Sequence, residues 1–77
     1  MVKLFGGFRD YSPSGTGAPS FWIDLEEGTS LEGLLLHLGI PEAEPKEIIR
    51  NHRLGKLEHV LERGDVVAIF PPLAGGG

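Results

Sequence analysis

One short amphipathic segment, TSLEGLLLHLGIP, constrains the fold of this chain more than any other stretch. Thr29 followed by Glu32 predicts a capping box at the start of a helix, and Gly39 with Pro41 predicts its end. A helix of about nine residues is marginal by itself in water and must pack against other elements. The side that packs is one apolar stripe of leucines: Leu31, Leu34, Leu35 and Leu38.

The partners of this helix are predicted to be β-strands. MVKLF and SFWIDL both alternate apolar and polar residues, which predicts a hairpin across the turn-forming segment YSPSGTGAP. Gly6 and Gly7 predict a bulge or a site of close approach near the end of the first strand. Further strands are predicted at residues 48–49, at 56–57 and, after a turn at RGD, at 66–70.

Length and composition indicate one small domain. The 77 residues allow a single core, and the absence of cysteine excludes disulfides and thiolate metal sites. The formal net charge of −4 makes nucleic acid a poor partner and a positively charged protein a better one. No apolar run approaches a membrane span and no secretory signal is recognisable, so a cytoplasmic protein is expected. No metal site is expected either, because the histidines match no common zinc spacing: His37, His52 and His59.

The order strand, strand, helix, strand, short strand, strand is that of the ubiquitin-like β-grasp, an α+β fold. The end of the chain, RGDVVAIFPPLAGGG, resembles the C-terminus of the molybdopterin-synthase small subunit and of thiamine-type sulfur carriers. Asn51 also occupies a place where this family often carries an asparagine in its third strand. The resemblance implies a mixed sheet of about four to five strands with one main helix packed across it. This domain would comprise residues 1–73, followed by a flexible glycine tail at 74–77.

The same resemblance implies a chemistry located at the C-terminus. In this family a ubiquitin-activating-type enzyme uses ATP to adenylate the terminal carboxylate, and sulfur transfer then forms a thiocarboxylate. Gly77 would carry the reacting carboxylate with Gly76 beside it, and neither a bound cofactor nor a catalytic side chain is required. A second implied partner is the large subunit of molybdopterin synthase, on which the sulfur would be donated to a pterin precursor.

Glycine suits such a terminus, because a backbone without Cβ can enter a narrow channel and adopt φ values closed to other residues. Pro71 and Pro72 keep the exit stiff and extended, and residues 71–77 span at most about 23 Å. The family usually has two residues between the prolines and the terminal glycine pair, whereas this chain has three, Leu-Ala-Gly. Gly77 is therefore the reacting end unless it is removed, in which case Gly76 becomes that end.

The resemblance places partner contacts on the last strand and the tail. By alternation Phe70 lies opposite Val67 and Ile69, which face the helix, so Phe70 is predicted to be an exposed anchor. The alternative is that Phe70 completes the core. Weaker contacts are predicted for Trp22 and Leu57. The tail residues predicted to bind the partner are Pro71, Pro72, Leu73 and Gly75.

Three functions remain open on these residues. The FPP exit favours the small subunit of molybdopterin synthase over a sulfur carrier for thiamine, cysteine or another pathway. The third is a protein modifier, whose activated glycine is joined to lysines of target proteins. These functions differ in the acceptor, which the acceptor enzyme selects. Glycine-rich ends are also common in tails without function, but the position directly after GDVVAIFPP argues against that interpretation.

Overall fold

A computed structural model describes residues 1–13 and 17–72, and in these ranges one α-helix packs across a five-stranded sheet. The sheet has the order β2-β1-β5-β3-β4, in which β1 and β5 are parallel and the other neighbours are antiparallel. The predicted mixed sheet with one main helix is therefore confirmed. The elements are β1 (Val2–Leu4), a 3-10 helix (Gly6–Tyr11), β2 (Ser20–Phe21), α1 (Leu31–Leu38), β3 (Glu47–Arg50), β4 (Arg53–Leu54) and β5 (Val67–Phe70).

The core forms where the leucine stripe meets the inner face of the sheet. In the register of β1 with β5, Val2 lies beside Val67 and Leu4 beside Ile69, so alternate residues of both strands face α1. Leu31, Leu34 and Leu35 of the predicted stripe are buried as expected, whereas Leu38 is only half-buried. The alternation missed part of the core, because some members lie outside regular strands. The buried apolar side chains are Val2, Leu4, Phe8, Leu31, Leu34, Leu35, Ile40, Ile48, Val67 and Ile69.

The helix begins one residue later than the capping-box prediction. The N-cap is Ser30, whose Oγ accepts a hydrogen bond from the Gly33 N–H at 3.1 Å, while Thr29 Oγ1 donates to the Glu26 carbonyl at 2.6 Å. The reason is tertiary: the Leu61 N–H donates to the Thr29 carbonyl and so pairs Thr29 with the chain after the helix. At the other end Gly39 adopts a left-handed conformation with φ of 82°, as predicted.

The predicted strand at residues 56–57 is wrong. The short strand is β4, because Asn51 and His52 both have positive φ and form a tight turn that pairs Arg53 with Arg50. The following segment instead supplies acceptors to the helix N-terminus. The Leu31 N–H donates to the carbonyl of residue 59 at 2.9 Å, and the Glu32 N–H donates to the carbonyl of residue 57 at 3.0 Å.

The N-terminal hairpin is confirmed, but both of its strands are shorter than predicted. Phe21 pairs with Val2, so residues 22–25 extend past the start of β1 and have no strand partner within residues 1–13 and 17–72. Gly6 and Gly7 begin the 3-10 helix rather than a bulge. Part of the predicted turn, residues 14–16, lies outside the described residues. In the described part of the chain, no helix is long and apolar enough to cross a membrane.

Asp65 joins the turn before β5 to the turn after β3. Its carboxylate accepts hydrogen bonds from Arg50 Nε at 3.0 Å, Asn51 Nδ2 at 2.9 Å and the Glu62 N–H at 2.8 Å. The Asn51 side-chain oxygen in turn accepts from the Val66 N–H at 2.8 Å. Asn51 therefore lies just after the third strand rather than in it, and it holds the entry to β5 in place.

We expect Asp65 to make the stability of the domain fall as the pH becomes acidic. Burial disfavours its charged form, but the hydrogen bonds from Glu62, Asn51 and Arg50 outweigh this, so the pKa of Asp65 lies below its ordinary value. A carboxyl group with a lowered folded-state pKa stabilises the protein above its unfolded-state pKa. That contribution is lost as pH falls through the folded-state pKa.

Asp65→Asn should therefore lower the free energy of unfolding by roughly 1–3 kcal/mol near pH 7. The difference from wild type should shrink when urea denaturation is repeated at about pH 3. Asp24→Asn is the matched control, because Asp24 is exposed and its side chain makes no hydrogen bond with any described residue. Equal losses in the two variants at neutral pH would contradict this role for Asp65.

Candidate functional site

The end of β5, from which the C-terminal tail departs, is held by the segment that follows β1. The Phe5 N–H donates a hydrogen bond to the Ile69 carbonyl at 3.0 Å. This bond extends the attachment of the first segment to β5 by one residue beyond Leu4. Pro71 and Pro72 come next and are both exposed. The tail therefore leaves the domain from a fixed point in the middle of the sheet, which we call the tail root (Phe5, Gly6, Phe70 and Pro71).

Two aromatic rings form the apolar part of the tail root. Phe5 and Phe70 stack with ring centroids 4.3 Å apart and an angle of 8° between the ring planes. Phe5 is 41% exposed and Phe70 is half-buried. Phe70 lies outside the buried core, on the face of the sheet opposite to that of Ile69. Of the two placements considered for Phe70, the structure has the one away from the core, and its role as a docking anchor stays a prediction.

Gly6 allows the tail to leave close to the backbone of the first segment. It has φ of +58°, a conformation that residues with a side chain rarely adopt. A Cβ built on Gly6 would lie 3.0 Å from Cγ of Pro71, closer than nearly all real contacts of this kind. Of the two predictions for this glycine, the structure therefore has the site of close approach, where Gly6 packs against the first proline of the exit. The sequence pattern did not identify Pro71 as the neighbour, because the two residues are 65 positions apart.

An apolar strip continues from the tail root across the outer face of the sheet. Ala68 alternates with the buried Val67 and Ile69, and in the register of β5 with β3 it lies beside Ile49. Ile49 in turn pairs with Leu54 of β4, whose side chain is 75% exposed. We call this surface the outer apolar strip: Phe5, Phe70, Ala68, Ile49 and Leu54. Apart from Phe70, the sequence pointed to none of these residues as candidates for partner contact.

The remaining candidates do not join this surface. Trp22 is 77% exposed but follows the β2 residue that pairs with Val2, at the opposite end of β1 from the tail root. Leu57 is half-buried and packs against the core, so little of it is free for docking. The other predicted tail contacts and the reacting glycines lie outside the described residues: Leu73, Gly75, Gly76 and Gly77.

The chemistry of the tail root is that of docking and orientation. Its described residues are apolar or lack a side chain, so they supply no general acid, base or nucleophile. Within residues 1–13 and 17–72, no three His, Asp or Glu side chains lie together as a metal site requires. The arrangement can present an apolar surface to a partner beside the point where the chain leaves β5.

Comparisons with known proteins agree with this architecture. The ThiS family model matches residues 2–76. Among solved structures, the chain is similar to the crystal structure of SAMP1 from Haloferax volcanii, with a TM-score of 0.71 and 20% sequence identity. That match covers 97% of this chain and 96% of SAMP1, and it confirms the ubiquitin-like β-grasp fold. No curated protein matches the chain significantly.

Proposed function

This chain belongs to the ThiS family of ubiquitin-like sulfur carriers, and we propose that its C-terminal glycine is adenylated and then converted to a thiocarboxylate. We further propose that it acts as the small subunit of a molybdopterin synthase and donates this sulfur to a pterin precursor. The partners in this proposal are a ubiquitin-activating-type enzyme, which uses the ATP, and the large subunit of the synthase.

The observation that carries the proposal is the tail root. The backbone bond from Phe5 and the stacking of Phe5 on Phe70 hold the end of β5, so the tail starts from a defined position. From Pro71 to Gly77 the chain can span at most about 23 Å, enough to reach a pocket inside a partner that docks on the domain. A start that is already ordered lowers the entropy lost when the tail is inserted.

The proposed chemistry needs only the terminal carboxylate of this chain. One carboxylate oxygen attacks the α-phosphorus of ATP, and pyrophosphate leaves, which produces an acyl-adenylate. Hydrosulfide, or an equivalent sulfur nucleophile, then forms a C–S bond at the acyl carbon. The C–O bond to the phosphate breaks, and AMP departs with the electron pair. The partner enzyme catalyses both steps, which is consistent with a domain whose tail root offers no catalytic side chain.

The choice of molybdopterin synthase rests on the exit sequence. Phe70, Pro71 and Pro72 form the FPP segment that resembles the molybdopterin-synthase small subunit. In the structure this segment combines an aromatic ring on the outer apolar strip with a proline packed on Gly6. A thiamine-type carrier and a protein modifier would share the activation step and differ only in the acceptor.

The proposal is tested in two stages by intact-mass spectrometry. The protein is first incubated with the adenylating enzyme of its native source, ATP and sulfide. It should gain the mass difference of one oxygen replaced by sulfur, and the gain should require ATP. The thiocarboxylated protein is then mixed with purified molybdopterin-synthase large subunit and pterin precursor, and should return to its original mass. Absence of the first gain would refute sulfur carriage. If the mass returns to its original value only when thiazole synthase replaces the large subunit, the protein is a thiamine-type carrier.

Phe70→Arg should weaken activation while leaving the domain folded. The stack with Phe5 contributes about 1 kcal/mol to the stability of the domain, so its loss should not unfold the protein. Loss of an aromatic anchor from a docking surface should lower kcat/KM of adenylation roughly tenfold. ATP–pyrophosphate exchange measures this rate. Leu36→Arg is the matched control, because Leu36 is 72% exposed on α1 and lies outside the outer apolar strip. If both variants lose activity equally, Phe70 is not an anchor.

A further inference from the structure

A groove of about 1120 Å³ opens at the end of the molecule opposite the tail root. Its walls are residues 22–29, which connect β2 to α1, and residues 60–65, which precede β5. Its floor is formed by core side chains, including Val2, Leu34 and Val67. We call this surface the distal groove. The proposed sulfur chemistry does not use it.

Two of the most exposed apolar side chains of the described chain border the distal groove. Trp22 is 77% exposed and Val60 is 52% exposed, although Leu25 and Leu61 beside them are half-buried against the core. An exposed tryptophan beside an apolar floor is a surface typical of binding hot spots. The groove therefore offers a place for at least one apolar side chain of a partner.

The backbone along one wall of the distal groove is unpaired. β2 is the outer strand of the sheet, and its ladder with β1 ends at Phe21. Residues 22–25 make no backbone hydrogen bond with any described residue, although their side chains keep the alternating exposure of a strand. An open edge of this kind can pair with an added strand, whose main chain supplies the missing hydrogen bonds.

The charge of the distal groove selects the kind of partner. Its lining includes four carboxylates that make no ion pair with any described residue: Asp24, Glu26, Glu27 and Glu62. The cationic groups of the same lining are Arg63 and the Met1 ammonium, which donates to the Asp65 carbonyl, and the Asp65 carboxylate is already bound by Arg50. The groove is therefore complementary to a positively charged segment, and Trp22 can also accept a cation over its ring.

We propose that the distal groove binds an extended, lysine- or arginine-bearing segment of a partner protein, which pairs with the open edge at residues 22–25. Alternate side chains of that segment contact Trp22 and the carboxylates of the rim. Because the groove lies at the start of β1 and the tail root at its end, this partner can remain bound while the tail is engaged elsewhere. The surface would then keep the carrier attached to a second protein between successive reactions.

The first test is an NMR titration of the full chain with a short peptide of alternating lysine and valine. Amide shifts should be confined to residues 20–29 and 60–65, together with the Trp22 indole. The same peptide with glutamate in place of lysine, and spermidine, which has charge but no peptide backbone, should produce no such shifts. Shifts at the outer apolar strip, or equal binding of the acidic peptide, would overturn the proposal.

Variants then separate the three parts of the surface. Two changes should each lower the affinity for the peptide at least about tenfold: Trp22→Ala, and the double change Glu26→Lys with Glu62→Lys. Leu36→Ala, on the exposed side of α1, should leave its affinity unchanged. Proline in place of alternate peptide residues should abolish binding, because proline cannot donate to a strand edge. Removal of Gly76 and Gly77 should not alter affinity, so the outcome is independent of sulfur carriage. Unchanged affinity in Trp22→Ala would refute the site.

Discussion

Deletion of Gly77 is expected to abolish thiocarboxylate formation while leaving the domain folded. The acyl carbon that is activated belongs to the terminal residue, so in the shortened chain the only terminal carboxylate is that of Gly76. Shortening the chain moves the carboxylate back by about 3.3 Å relative to the tail root. A displacement of even about 1 Å at a reacting centre can reduce the rate about a hundredfold.

The deletion is measured by the mass assay with adenylating enzyme, ATP and sulfide, and the fold by thermal unfolding. Leu36→Ala serves as a folded control outside the tail. Gly76→Val should also impair activation, because a branched Cβ crowds a narrow channel and disfavours glycine-type φ angles. If the chain ending in Gly76 reacts as fast as the full chain, then Gly77 is dispensable and Gly76 is the natural reacting end.

Leu35→Ala is expected to lower the free energy of unfolding by roughly 2–5 kcal/mol. Leu35 is 4% exposed and belongs to the leucine stripe that packs on the sheet, so truncation removes buried methyl groups and leaves a cavity. A small domain has a total stability of about 5–15 kcal/mol, so this loss would remove a large share of it. Urea denaturation followed by circular dichroism measures the change.

The neighbouring residue provides the control for this experiment. Leu36 has the same side chain in the same helix but is 72% exposed, so Leu36→Ala should change the stability by less than about 0.5 kcal/mol. The comparison removes helix propensity from the difference, because both variants replace leucine with alanine in one helix. Similar losses in the two variants would mean that α1 does not pack on the sheet through this stripe.

The features that local periodicity encodes were predicted from the sequence. The helix follows from the spacing of its leucines, and its end follows from Gly39, whose left-handed conformation suits glycine. The inward direction of Val67 and Ile69 follows from the period of two in a strand. The FPP segment and the glycines also lie together in the chain, so the tail could be proposed as the reacting segment from the sequence, and that role stays a prediction. These patterns concern residues close in sequence, so no knowledge of distant contacts was needed.

Strand pairing and the contacts of distant segments required the tertiary structure. Spacing favoured Thr29 as the helix cap, but its carbonyl pairs with Leu61, which left the cap to Ser30. The stacking of Phe5 on Phe70 arises because parallel pairing brings the ends of β1 and β5 together. The sequence around each phenylalanine does not indicate that the two strands pair. The sequence by itself therefore determined the helix and the inward direction of the last strand, and it contains the motif on which the proposed reactive end rests. Only the tertiary structure decided what holds the end of β5 and where the open groove lies, because both depend on the register between strands far apart in the chain.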